Sequence, residues 1–155
     1  MAILNNPFAG RDGYNCFGCS PDNQLGLRMK FDWDGEKVTA NWEPRHDFEG
    51  WTNVLHGGIQ ATLMDEAGSW LVFAQLKTGG VTTKLEVKYR RPVPINQGRI
   101  RIVAKLLDAS SRLATIQLSL FAPNGEVCSE GIATYFLFDR NSERGKEMFP
   151  GDAVL

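Results

Sequence analysis

A single long apolar helix set among strands leaves a chain few ways to fold. Over residues 56–76 apolar side chains recur at helical spacing, and Gly79-Gly80 supplies a stop. The segments around it alternate with the period of strands. Leu25, Leu27, Met29, Phe31 and Trp33 alternate with Gly26, Arg28, Lys30 and Asp32; Asp34-Gly35 makes a tight turn, and Val38, Ala40 and Trp42 continue on a return strand. Residues 43–55 then form a connecting loop. Past the helix, strands are predicted over 81–91, 99–109, 113–121 and 127–138, divided by Pro92-Val93-Pro94 with Gly98 and by Pro123-Asn124-Gly125. Short loops between consecutive strands favour antiparallel pairing. One antiparallel sheet hides one apolar helix by curling around it. The expectation is an α+β fold of about six strands wrapped around one long central helix. It spans residues 25–138, between an irregular N-terminal segment (1–24) and a polar, poorly ordered tail (139–155).

Bulk properties narrow the function classes. The 155 residues suit one domain with a sizeable core. A net charge of −1 draws the chain toward no nucleic acid and weakly favours self-association. No apolar run approaches the roughly 18 residues that span a bilayer. Residues 1–11 lack a basic stretch followed by an apolar one, so no secretion signal is expected. Three cysteines make no disulfide framework, which points to the reducing cytoplasm.

At 100° per residue, Ile59, Leu63, Ala67, Trp70, Leu71 and Ala74 share one helix face and should pack on the sheet. Gly58, Ala61, Thr62, Asp65, Gly68 and Ser69 form a second stripe of small residues around one acid, which lets another backbone or a thin ligand approach. Glu66 points about 100° away from Asp65, so the two are not a paired site. At the helix start, His56-Gly57-Gly58 leaves backbone N–H groups uncovered, where a developing negative charge can be held. Gly57 and Asp65 stand about 12 Å apart by helix rise. One carbonyl cannot touch both on the same helix, so a shared reaction requires a second subunit whose helix runs the other way.

With these residues in view, the chain resembles the hotdog-fold acyl-CoA thioesterases of the phenylacetate-pathway and thioesterase-superfamily-member types. The resemblance rests on Tyr14-Asn15-Cys16-Phe17-Gly18-Cys19 followed by Leu25-Gly26-Leu27. It rests also on Leu55-His56-Gly57-Gly58 with an acid nine residues after the histidine, and on Thr82 through Tyr89-Arg90-Arg91-Pro92. It implies hydrolysis of acyl-CoA to a carboxylic acid and coenzyme A, in a homodimer that can pair into a tetramer. Asp65 would activate water or attack the thioester carbonyl, and the Gly57 amide of the other subunit would polarise that carbonyl. His56 would shape the helix start, Thr82 would orient water, and Gly58 would lie against the substrate. Related enzymes often carry Asn or Gln six residues before the histidine, where this chain has Gly50; either Asn53 substitutes through a different loop path or polarisation is weaker. Other readings are a non-catalytic acyl-CoA-binding protein and an enoyl-thioester hydratase, although positions 50–55 hold no acid of the hydratase kind.

Lys84, Lys88 and Arg90 share a strand face with Arg91 beside them, and Arg90 and Arg91 are candidates for the phosphates of coenzyme A. Cys16 and Cys19 form a lone C-x-x-C. With Cys128, His46 and His56 the only other Cys or His residues, the ligand count for zinc is incomplete, so no metal is expected and the pair should pack as small apolar residues. His46 reads as a surface residue. Ser69 and Ser110 lack a G-x-S-x-G context, and no G-x-G-x-x-G or P-loop is present. Coenzyme A therefore enters as part of the substrate, without a resident cofactor. Trp51, Trp70 and Phe73 could line an aryl pocket or fill the core.

Overall fold

The computed structural model describes residues 2–149 and 151. Seven strands build one antiparallel sheet: β1 (Ala2–Ile3), β2 (Asp32–Trp33), β3 (Lys37–Trp42), β4 (Gly80–Tyr89), β5 (Ile100–Ala109), β6 (Leu113–Phe121) and β7 (Val127–Leu137). Their spatial order is β1-β2-β3-β5-β6-β7-β4. Helix α1 (Gly57–Leu71) runs on through a wider π turn at Val72–Leu76. A short helix α2 (Glu143–Met148) follows the last strand.

The sheet curls around α1 because every long central strand presents an apolar face to it. Ile100, Ile102, Ala104, Ile116, Leu118 and Leu120 are fully buried, and they meet Leu63, Ala67, Trp70 and Leu71 of the helix. Trp70 stacks on Phe31 with ring centroids 5.0 Å apart. This is the hotdog arrangement. Among the described residues no helix is long and apolar enough to cross a membrane.

Four local expectations need correction. Leu27, Met29 and Phe31 are buried in alternation, yet residues 25–31 are not a strand. Arg28 takes a left-handed φ of 51°, and the segment bonds instead to the N-terminal turn, Leu27 N–H to the Phe17 carbonyl and Met29 N–H to the Gly18 carbonyl. The N-terminal segment, in turn, contributes β1 to the sheet edge. The helix stops at Lys77, in the left-handed region at φ 56°, rather than at Gly79-Gly80. Gly79 is bare because α2 lies on it: a Cβ there would come within 2.5 Å of the Met148 Cβ. Finally, α2 orders part of the tail, with Ser142 capping it and Phe149 buried after it.

Candidate active site

The geometry around Asp65 comes from a flaw in the sheet. Leu85 and Val87 of β4 pack toward the core and Tyr89 reaches α1, so odd-numbered residues face the helix. A bulge between Thr82 and Lys84 shifts that phase. Thr82 therefore also faces the helix, directly across from Tyr135 of β7. The Thr82 hydroxyl donates to Asp65 Oδ1 at 2.8 Å. The Tyr135 hydroxyl proton is shared between Oδ1 at 2.9 Å and the Asp65 carbonyl oxygen at 2.8 Å. Burial and the nearby Asp65 charge push the Tyr135 phenol up, so it stays a donor. Asp65 is half-buried, and its Oδ2 accepts no hydrogen bond among the described residues.

Tyr135 is a residue that reading the sequence missed. Its only signal is a tyrosine at an inward position of a strand, where a buried hydroxyl needs a partner. It also accounts for part of the small-residue stripe. A Cβ at Gly68 would overlap the Tyr135 hydroxyl, so Gly68 makes room for a side chain of its own chain. Gly68 is buried rather than open to a ligand.

The start of α1 forms a second centre. His56 Nδ1 accepts the Gly58 N–H at 2.9 Å, which satisfies one of the free amides of the first turn. The Gly57 N–H has no partner among the described residues, while its carbonyl accepts the Tyr89 hydroxyl at 2.6 Å. A cleft of about 710 Å³ opens here, lined by Trp51, His56, Gly57, Tyr89, Arg90 and Arg91, among others. Gly50 lies against His56, where a Cβ would sit 3.2 Å from the His56 Cα.

The other candidates divide. Arg90 and Arg91 border this cleft, held by Glu130 at 2.6 Å and Glu126 at 3.6 Å. Lys84 pairs with Glu86 at 3.2 Å and, like Lys88, lies outside the cleft. Asn53, at φ 63°, also lies outside its lining; its amide donates to Asn96 Oδ1 at 3.1 Å. Trp51 is 86% exposed at the rim, Trp70 is core, and Phe73 borders a separate cavity. His46 is on the surface, 3.4 Å from Glu49.

Cys19 is buried in the core and Cys16 packs against it, as expected, but both also meet polar groups. The Cys16 thiol donates to Glu66 Oε1 at 3.5 Å, and the Tyr14 hydroxyl lies 2.9 Å from Cys19 Sγ. Burial pushes the Glu66 carboxyl up to about 7.

The sequence profile of the thioesterase superfamily matches residues 52–129. Over 92 residues the chain is 27% identical to a Saccharolobus solfataricus protein described as an esterase, covering 58% of this chain and 60% of that one. The chain thus spans about 60% of that relative's length. A Haemophilus influenzae thioesterase superposes with a TM-score of 0.67 at 17% identity, covering 76% of this chain and 82% of that one. A Bacillus halodurans protein solved with CoA gives 0.63 at 23% identity, over 73% and 74% of the two chains. At these identities the solved structures speak for the fold.

Proposed function

This chain belongs to the thioesterase superfamily, and on that premise we propose that it hydrolyses acyl-CoA thioesters to a carboxylic acid and free coenzyme A. The observation that carries the reading is the Asp65 carboxylate, with Oδ1 held by two hydroxyls and Oδ2 left open. A carboxylate fixed in this way is a positioned base. Oδ2 takes a proton from water while the water oxygen attacks the thioester carbon. The carbonyl electron pair moves onto oxygen, where the Gly57 N–H stabilises it. Collapse of the tetrahedral adduct breaks the carbon–sulfur bond, and coenzyme A leaves as thiolate and is protonated. Thr82, expected to orient water, acts here by orienting Asp65.

Asp65 and Gly57 come together only across a dimer, and β4 supports one. Among the described residues its outer edge pairs with no other strand, and it is ten residues long. Thr82 sits by Asp65 and Tyr89 by Gly57. An antiparallel two-fold pairing of β4 centred between Leu85 and Glu86 sets Thr82 opposite the partner's Tyr89. That register brings the Asp65 of one protomer toward the Gly57 of the other. Arg90 and Arg91 then stand ready for coenzyme A phosphates at the same cleft. His56 fixes the helix start and Gly58 keeps it slim. The CoA held by the Bacillus halodurans neighbour agrees with this substrate class. A reducing cytoplasmic setting and further pairing into a tetramer complete the proposal.

The test is to incubate the protein with a panel of acyl-CoAs and follow free thiol. Thiol release that disappears in Asp65→Asn supports hydrolysis. Binding without release by the unmodified protein identifies an acyl-CoA-binding protein, and loss of enoyl absorbance without thiol identifies a hydratase.

A further inference from the structure

We propose that Cys16, Cys19 and Glu66 form a zinc site that ties the N-terminal segment to the central helix. One ligand atom from each residue lies within 4.8 Å of the other two. Ligands on a tetrahedral zinc stand roughly 3.5–3.8 Å apart, given bonds of about 2.0–2.3 Å. The Cys16 Sγ to Glu66 Oε1 separation of 3.5 Å already matches. The third ligand is a carboxylate on α1, a donor that a count of Cys and His alone leaves out.

Two features mark this cluster. Gly18, between the cysteines, lies against Glu66: a Cβ there would come 2.5 Å from the Glu66 carboxyl carbon, so a larger residue would push that carboxyl aside. Glu66 also forms no ion pair among the described residues. Arg11 and Arg144 border the adjacent cavity, but Arg11 lies over the Phe8 ring and Arg144 pairs with Glu147. A mostly buried carboxylate beside two thiols, without a cation, is the arrangement that a divalent ion completes. Two thiolates disfavour magnesium and calcium, and a mixed sulfur and oxygen set suits zinc. Three protein ligands leave a fourth position, which opens on a cavity of about 500 Å³ bordered by Tyr14, Ser69, Trp70 and Phe73. Zinc would displace the thiol protons, and that fourth position would hold water or a small anion.

Cobalt(II) is the spectroscopic probe. The 155-residue protein reduced with a phosphine should bind about one cobalt per chain, with thiolate-to-cobalt charge-transfer absorption and strong four-coordinate visible bands, and zinc should displace it. Cys16→Ser or Cys19→Ser should remove most of the charge-transfer band, and Glu66→Gln should weaken binding by about tenfold or more. Cys128→Ser, away from the cluster, should bind like the parent. Circular dichroism of each variant confirms that it remains folded. The proposal is overturned if the reduced, folded protein shows no charge-transfer band, or if folded Cys16→Ser and Glu66→Gln bind as tightly as the parent. Air oxidation to a Cys16–Cys19 disulfide with no metal uptake after reduction also overturns it and marks a redox pair instead.

Discussion

The Tyr135 hydroxyl stands 2.9 Å from Asp65 Oδ1, and nothing in either residue's local sequence pairs them. They are 70 positions apart, joined only because β7 faces α1. A bulge at the neighbouring strand then brings Thr82 to the same oxygen. In the proposed mechanism these two hydroxyls position the base and leave its other oxygen for water.

Removing one of them should therefore affect turnover more than binding. Tyr135→Phe keeps the ring and deletes a buried donor to a carboxylate. We expect kcat to fall by about tenfold with KM nearly unchanged, and stability to drop by about 1–2 kcal/mol. Thr82→Val should do the same more mildly. Because both act on one oxygen, the double variant should depart from additivity in kcat. Steady-state kinetics and thermal melts check this; an unchanged kcat in Tyr135→Phe would remove the residue from the mechanism.

Gly68→Ala gives a prediction of opposite sign to helix propensity. In an ordinary helix the change stabilises by about 1 kcal/mol. Here the added Cβ overlaps the Tyr135 hydroxyl, so the variant should lose about 1–3 kcal/mol and most of its turnover. Adding Tyr135→Phe removes the closest atom and should recover part of the stability without the activity. Denaturant melts of the two variants decide it.

Arg91 borders the cleft with an ion pair at 3.6 Å and an exposed side chain. Arg91→Ala should raise KM for acyl-CoA several-fold while kcat holds. The effect should shrink as salt screens the phosphates. An acyl thioester of a short pantetheine, which lacks the nucleotide phosphates, should show no such difference.

The architecture was readable because one apolar helix among alternating strands admits few arrangements, and the long strands carry strong period-two patterns. Residues 25–31 look strand-like because Leu27, Met29 and Phe31 are buried in alternation, but a strand also needs backbone partners in a sheet, and the left-handed Arg28 turns this segment to bond the N-terminal turn instead. Asp65 and Gly57 were visible as local features of one helix. Tyr135, the phase shift at Thr83 and the approach of Glu66 to the cysteines are products of tertiary contact. Alternation along β4 would even have turned Thr82 outward. Asn53 stood near the cleft in sequence, but its left-handed backbone carries its side chain to Asn96.

The composite site has a decisive test in mixed dimers. Gly57→Pro deletes the amide N–H at the first position of α1, where proline is tolerated, and His56 before it has φ −56° and ψ 134°, which suits a residue preceding proline. The homodimer of this variant should lose about 10²–10³ in kcat. Asp65→Asn alone should be at least as impaired. Mixing the two inactive proteins and allowing subunits to exchange should restore activity, because one site then holds an intact Asp65 from one protomer and an intact Gly57 amide from the other. If each site were built within a single chain, every site in the mixture would carry a defect and no thiol release would return.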